Sequence, residues 1–115
     1  MIDIKMIERA AEVLEGVARK TPLEYSKRLS KKYKANIYLK REDLQEVRSY
    51  KIRGAYNLMQ SLTAEEKQKG VVCASAGNHA QGVAYSCNAL QVKGTIFMPV
   101  VTPNKKKKKV KSFAD

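Results

Sequence analysis

The fold of this chain is decided by the stretch Val71-Val72-Cys73-Ala74-Ser75-Ala76-Gly77-Asn78-His79-Ala80-Gln81-Gly82. Its first four residues are typical of a short buried strand, and a turn of small residues then leads into a helix that begins near Asn78. The free backbone N–H groups at such a helix start point beyond the carboxyl end of the strand, where they bind anions. The stretch therefore predicts an α/β fold with a carboxylate or phosphate site at this turn.

Helices and strands alternate on both sides of this stretch. Apolar residues at helical spacing run from Met6 to Ala18, and Thr21-Pro22 ends that helix. Ser26 is predicted to cap a short helix through Tyr33, and a strand follows at Ile37 to Lys40. A loop then leads to a helix at Lys51.

The downstream elements carry clear start signals. Thr63-x-x-Glu66 is a capping box, and Thr95 to Met98 reads as a further strand. Thr102-Pro103 is predicted to open the last helix with a threonine cap and a first-turn proline. Strand–helix–strand alternation at this spacing predicts parallel strands joined by right-handed crossovers.

A second stretch, Ser49-Tyr50-Lys51-Ile52-Arg53-Gly54-Ala55, places a lysine at a predicted helix start. Arg48, Arg53 and the helix N-terminus all disfavour a further positive charge, so we expect the pKa of Lys51 to be lowered. A lysine of this kind reacts more readily with carbonyl groups. Taken alone, such a lysine is ordinarily a solvated side chain, and a small-residue turn is ordinarily a tight connection.

Composition narrows the class of protein. The chain has 115 residues, of which 43% are hydrophobic, so it can build one modest core and not two complete domains. The net charge is +12, but six of these charges come from the lysines at 105–109 and 111, which leaves +6 elsewhere. Because no interleaved aromatic residues accompany this run, a solvated basic surface is favoured over nucleic-acid binding.

The sequence shows no sign of a membrane protein or a metal site. The N-terminus lacks the apolar stretch of a signal peptide, and no run approaches the roughly 18 apolar residues of a membrane span. Cys73 and Cys87 do not form a C-x-x-C pair, and we interpret them as buried, reduced thiols of a cytoplasmic protein. His79 is the only histidine, so no His-based metal site is expected.

Longer motifs carry a resemblance to a known family. They are Thr21-Pro22-Leu23, Tyr38 to Gln45, Arg48 to Ala55, Ala74 to Ala84, and Phe97-Met98-Pro99 with Thr102-Pro103. In order and content these blocks resemble the threonine ammonia-lyase (threonine dehydratase, or serine/threonine dehydratase) family of pyridoxal-phosphate enzymes. The resemblance implies the tryptophan-synthase-β-like fold, also called fold type II, of which this chain would be an incomplete part.

The resemblance also implies how the chain is divided. Residues 1–48 would be an N-terminal helix and strand of the large domain, and residues 49–115 part of a small α/β domain that carries the cofactor lysine and the asparagine loop. In the family, a glycine-rich loop holds the cofactor phosphate, and a hydroxyl or thiol meets the pyridine nitrogen. Neither has a counterpart in this sequence, so we expect a truncated chain that is inactive alone. For the complete enzyme, the resemblance implies a homo-oligomer.

Site residues follow from the resemblance one by one. Lys51 matches the lysine that forms a Schiff base with pyridoxal phosphate and later moves protons at the substrate α-carbon. Asn78 matches the side chain that hydrogen-bonds the cofactor's phenolic oxygen, and Tyr50 matches the aromatic residue beside the cofactor ring. The loop that holds the substrate carboxylate is matched by Ser75, Ala76, Gly77, Asn78 and His79.

The implied reaction is β-elimination from threonine or serine, giving 2-oxobutanoate or pyruvate plus ammonia, a step of isoleucine biosynthesis. Two alternatives stay open. The first is a serine racemase-like enzyme, in which the second loop position is a serine acting as acid or base from the opposite face; Ala76 at that position favours elimination. The second is a non-catalytic remnant whose lysine run binds RNA or another anion.

Two departures from the family pattern stand out. Glu46 replaces a common proline, which loosens the loop ahead of Lys51. The last helix normally keeps an apolar residue within the stretch occupied here by lysines 105–109. Extending the apolar face of Val110, Phe113 and Ala114 back by one turn reaches Lys106 and Lys107, so we expect two ammonium groups to face the core or to push the helix away.

Overall fold

The elements of the computed structural model, which describes residues 1–113, follow the predicted alternation. The helices are α1 (Ile4–Val13), α2 (Lys27–Tyr33), α3 (Lys51–Gln60), α4 (Ala64–Lys69), α5 (Asn78–Leu90) and α6 (Asn104–Lys111). The strands are β1 (Leu23–Tyr25), β2 (Tyr38–Lys40), β3 (Val71–Ala74) and β4 (Gly94–Phe97), and a 3₁₀ turn spans Glu42–Leu44. Within residues 1–113, every helix is too short or too polar to cross a bilayer.

The two longer strands form a parallel pair. Val71 lies opposite Gly94 and Ala74 opposite Phe97, and α5 provides the crossover between them. This βαβ unit confirms the predicted α/β fold. The shorter strands β1 and β2 pair antiparallel instead. Their pairing differs from the predicted parallel pattern, and β1 escaped prediction because three exposed residues carry no alternation of buried and exposed side chains.

A hydrophobic cluster holds α3, α5 and one face of the parallel strands together. Its buried members are Ala55, Met59, Val83, Cys87 and Val92. Ala55 and Met59 belong to α3, Val83 and Cys87 to α5, and Val92 follows α5. Partly buried Val71, Cys73 and Ile96 complete it from the strands. Both helices therefore pack on the same side of the sheet, which is what brings their first turns together.

Both cysteines belong to this core. Cys73 and Cys87 are free thiols, and burial raises the pKa of each. A raised pKa keeps a thiol protonated at neutral pH, and a protonated thiol is a poor nucleophile and metal ligand. The two side chains therefore serve as small apolar packing groups.

The first helix is shorter and less buried than predicted. The apolar spacing from Met6 to Ala18 predicts one long helix, but α1 ends at Val13, and Gly16 takes a left-handed conformation with φ of 75°. No residue of α1 is buried. Of the predicted apolar stripe, only Leu14, which follows α1, is buried. Most of the predicted stripe, including Met6 and Ile7, is exposed.

The last helix lies against α5 through one residue. Val110 is buried with Ala80 and Ala84, and Phe113 packs beside them. The predicted threonine cap is wrong: Pro103 is the N-cap residue, and the hydroxyl of Thr102 is buried without a partner within residues 1–113. Ala114, the third residue of the predicted apolar face, lies outside the described residues.

The lysines of this helix divide by exposure. Lys106 is exposed, whereas Lys107 is half-buried and its Nζ donates a hydrogen bond to the backbone oxygen of Val100, 3.3 Å away. The sequence predicts that both ammonium groups face the core or push the helix away. Lys106 does neither, because it is exposed and α6 stays packed on α5 through Val110, whereas Lys107 lies partly toward the core. Lys107 avoids burial of its charge because its long side chain reaches the Val100 carbonyl in the loop before α6.

Candidate functional site

Lys51 is the first residue of α3. Tyr50 takes the N-cap position, and the Lys51 Nζ lies 5.3 Å from the centroid of the Tyr50 ring. This distance is short enough for a cation–π contact. Arg48, just upstream, has a left-handed backbone with φ of 60°, which turns the chain sharply into the helix. The loop and the helix start thus present an amine next to an exposed aromatic ring.

The cations around Lys51 differ from the sequence prediction. Arg53 does not remain an unpaired neighbour of the lysine, because its guanidinium binds Glu42 through contacts of 2.8 and 2.9 Å. The hydrogen bond from Arg53, with help from Thr21 and Gln45, lowers the pKa of Glu42 from 4.5 to about 2 against the opposing effect of burial. The Arg53 charge is thereby neutralised by a partner that sequence reasoning did not identify.

Gln45 fastens the loop ahead of Lys51. Its side chain is almost fully buried, with 1% exposure. The amide accepts a hydrogen bond from the Arg19 backbone N–H at 2.8 Å and donates one to the Arg19 carbonyl at 2.8 Å. This two-way pairing joins the loop to the segment between α1 and β1. Although Glu46 replaces the usual proline, it pairs with the Arg19 guanidinium at 2.9 Å on the surface.

The loop before α5 is ordered by Ser75. Its hydroxyl oxygen accepts hydrogen bonds from the backbone N–H groups of Gly77 and Ala80, at 3.2 and 3.3 Å. Because the oxygen serves only as acceptor there, the hydroxyl proton stays available to a ligand. Within residues 1–113, the backbone N–H groups of Asn78 and His79 have no acceptor. A small set of donors therefore converges at the start of a 13-residue helix.

Gly82 links this loop to the lysine. A Cβ placed on Gly82 would lie 3.0 Å from both the carbonyl carbon and the carbonyl oxygen of Lys51, and 3.3 Å from the nitrogen of Ile52. The Lys51 peptide therefore rests directly on α5. Because Gly82 follows Asn78 by four residues, about one helical turn, both lie on the same face of α5. The Lys51 backbone therefore lies against the first turns of α5, the helix that follows β3.

The side chains of the predicted loop divide between two cavities. Ser75 and Ala76 line a pocket of about 390 Å³ at the carboxyl ends of the parallel strands, together with Phe97, Met98 and Pro99. His79 lines a different groove of about 410 Å³ between α3, α4 and β3. The backbone of His79 thus belongs to the anion-binding loop, whereas its imidazole points to another surface.

The sequence of this chain is similar to those of known proteins. Residues 14–115 match the model of a family described as pyridoxal-phosphate dependent enzyme. The chain belongs to this family. It is 56% identical over 115 residues to the L-threonine dehydratase biosynthetic IlvA of Lactococcus lactis, and it spans 28% of the length of that relative.

Solved structures agree with this membership. The processed form of threonine deaminase isoform 2 from Solanum lycopersicum is 43% identical, with a TM-score of 0.81 over 97% of this chain and 32% of its own. Maize serine racemase is 32% identical, with a TM-score of 0.89 over 96% of this chain and 34% of its own. The fold is therefore part of fold type II, and pyridoxal phosphate is the cofactor of the family.

The residues present fit part of what this cofactor needs. The backbone of Lys51 packs against α5 one helical turn after Asn78, and free backbone donors at the start of α5 suit an anionic group. Sequence reasoning quoted Gly82 without giving it a role. The signal was available, because glycine inside a helix costs about 1 kcal/mol relative to alanine and often marks a close approach of two backbones.

Proposed function

We propose that residues 1–115 are the part of a pyridoxal-phosphate-dependent threonine ammonia-lyase that carries the cofactor lysine. The observation that carries the proposal is the contact of the Lys51 peptide with Gly82, one turn from Asn78. This contact brings the start of α3, which carries the amine, next to the start of α5, which carries the donors of the Ser75–His79 loop. The name of the Lactococcus lactis relative supports threonine as substrate, and serine is a second candidate.

Each residue would have a separate task. Lys51 would hold the cofactor covalently through its amine and move a proton at the substrate α-carbon. The Asn78 amide would donate to the cofactor's phenolic oxygen, and the Tyr50 ring would lie beside the cofactor. Pyridoxal phosphate, when bound, supplies the electron sink for the negative charge left at the α-carbon.

The substrate carboxylate would bind at the start of α5. The Asn78 and His79 backbone N–H groups and the Ser75 hydroxyl proton are the donors available there. The positive end of the helix dipole adds to their attraction for an anion. Ala76 and Gly77 would contribute by leaving room for the carboxylate, because neither side chain extends beyond a methyl group.

Elimination is favoured over racemisation by Ala76. A racemase needs an acid or base on the face of the substrate opposite the lysine, and the methyl group of Ala76 can supply neither. We therefore expect loss of the β-hydroxyl, with 2-oxobutanoate from threonine or pyruvate from serine as product, and no formation of the D-amino acid.

The wider setting is proposed with the function. Residues 1–48 would belong to the large domain and residues 49–115 to the small domain, joined in this chain by Arg53, which binds the Arg19 carbonyl and the Glu42 carboxylate. The complete enzyme would be a cytoplasmic homo-oligomer that supplies 2-oxobutanoate for isoleucine biosynthesis, in keeping with the relative's description as biosynthetic.

The polypeptide of residues 1–115 would not turn over threonine alone. The cofactor phosphate and the substrate carboxylate require two separate sets of donors, and the Ser75–His79 loop offers one. Without both, the ring would not be oriented for selective loss of the α-proton. Added pyridoxal phosphate and threonine should therefore give 2-oxobutanoate at the rate of a protein-free control.

A chimera tests the proposal. Residues 1–115 replace the matching 28% of the Lactococcus lactis enzyme, and 2-oxobutanoate formation from threonine is measured. We expect activity within about tenfold of the parent and its complete loss in the Lys51→Ala chimera, with the fold retained. An Asn78→Ala chimera should lose most of the activity. Turnover that survives Lys51→Ala would refute the proposal.

A further inference from the structure

We infer that Gly82 is a positioning residue: by lacking a side chain it sets the distance between the Lys51 amine and the Asn78 loop. The inference rests on the proposed function and adds to it a residue that touches neither cofactor nor substrate. Gly82 lies in α5 one turn after Asn78, where the backbones of α5 and α3 meet.

The contact is between backbones and cannot be relieved cheaply. The atoms that a Cβ on Gly82 would meet, at 3.0 to 3.3 Å, are the carbonyl group of Lys51 and the nitrogen of Ile52. A flexible side chain could move away, whereas these atoms belong to the first turn of α3. An added methyl group would therefore push the start of α3, and Lys51 with it, away from α5.

Packing on either side limits how the strain could spread. On the far side of α5, Ala80 and Ala84 pack against Val110 of α6. The side chain of Ile52 is fully buried. The α5 helix therefore cannot retreat freely and Ile52 holds the rest of α3, so displacement falls on Lys51, the first residue of α3. The contact requires a shift of a few tenths of an ångström. Because a misplacement of about 1 Å at a reacting group can cost about a hundredfold in rate, such a shift at the base of Lys51 is expected to cost several-fold.

No other property of Gly82 explains a glycine there. It lies inside α5 with ordinary helical backbone, where glycine is among the poorest residues for helix formation. Gly54 provides the matched comparison, because it also lies inside a helix, α3, and a Cβ placed on it meets nothing within 4 Å. The two glycines differ in what they face, not in their backbone conformation.

The test uses the 115-residue chain and measures where pyridoxal phosphate attaches. The protein is incubated with the cofactor, reduced with borohydride and digested, and mass spectrometry gives the label on Lys51 relative to the lysines of α6. The Ser75–His79 donors, which would hold the substrate carboxylate in the complete enzyme, are free to bind the cofactor's phosphate when no substrate is added, so we expect at least fivefold preference for Lys51 in the parent. Gly82→Ala should lower this ratio at least fivefold, and Gly54→Ala should leave it within twofold.

Folding is controlled by circular dichroism, and each substitution is repeated in a Lys107→Ile background chosen for stability. If Gly82→Ala folds and labels Lys51 as the parent does, the inference is wrong while the proposed function stands. If Gly82→Ala unfolds both backgrounds and Gly54→Ala does not, the contact serves the fold alone, and the inference is again overturned. If the parent itself shows no preference for Lys51, the assignment of Lys51 in the proposed function fails instead.

Discussion

Replacing Lys107 by isoleucine should stabilise the protein. Complete burial of an isoleucine side chain is worth about 1.5–3 kcal/mol, and because Lys107 is only half-buried, about half of that, roughly 1 kcal/mol, is expected. Removing the like-charge pair with Lys111, four residues on, adds about 0.3 kcal/mol. Losing the long hydrogen bond to Val100 costs about 0.5 kcal/mol. The net gain is therefore about 1 kcal/mol.

Lys106→Ile is the matched control for this substitution. Lys106 is exposed and also has one like-charged neighbour at helical spacing, Lys109, so the two changes remove the same charge and differ in burial. Thermal and urea unfolding give the comparison, with a rise of about 4 °C in Tm expected for Lys107→Ile and less than half of that for Lys106→Ile. Equal effects of the two substitutions, or a loss of stability in Lys107→Ile, would refute the placement of Lys107 at the edge of the core.

Four further predictions concern charge and buried hydroxyls. Since the pKa of Glu42 is lower in the folded chain than its usual 4.5, the Glu42–Arg53 pair stabilises the fold above pH 4.5, and this stability should be lost progressively toward pH 2. Urea unfolding across that range should show the loss, and Glu42→Gln should flatten it. Ser86→Ala should cost about 1 kcal/mol, because the Ser86 hydroxyl donates to the Gly82 carbonyl at 2.7 Å in the core. Ser49→Ala should be neutral or stabilising, because the buried Ser49 hydroxyl has no partner within residues 1–113. A greater loss of stability in Ser49→Ala than in Ser86→Ala, by urea unfolding, would contradict this. Finally, any affinity of the lysine-rich α6 for RNA should fall on the order of 10³ between 50 and 200 mM salt, and sequence-selective binding that persists at the higher salt would show a dedicated interface instead.

Local signals in the sequence were sufficient for most elements. The capping box at Thr63 is formed as predicted: the Thr63 hydroxyl accepts a hydrogen bond from the Glu66 backbone N–H, and the Glu66 side chain accepts one from the Thr63 backbone N–H. Ser26 likewise caps α2. Such signals depend on residues three positions apart and need no knowledge of the rest of the fold. The turn into α5 was predicted on the same basis, from small residues that follow a strand.

What the sequence could not supply were contacts between distant segments. Arg53 was expected to act on Lys51, two residues away, but it binds Glu42, eleven residues upstream. The burial of Gln45 depends on the Arg19 backbone, 26 residues away. Neither pairing has a periodic signal, because each depends on how the loop before α3 meets the segment after α1. The approach of Gly82 to Lys51 is of the same kind.

The apolar stripe on α1 shows that a clear local pattern can still give a wrong prediction of burial. A clear helical period of apolar residues predicts burial, but Met6 and Ile7 are exposed because no element within residues 1–113 packs over them. Periodicity reports which residues share a face, and whether that face is covered depends on the elements available to pack on it.

The central claim is that Lys51 is the cofactor lysine and that the Asn78 loop works with it. The most direct measurement is a crystal structure of the chimera with the Lactococcus lactis enzyme, grown with pyridoxal phosphate. We predict continuous electron density between the Lys51 Nζ and the cofactor, with the Asn78 amide within hydrogen-bonding distance of the cofactor's phenolic oxygen. Density that joins the cofactor to a different lysine, or an Asn78 side chain turned away from it, would contradict the account.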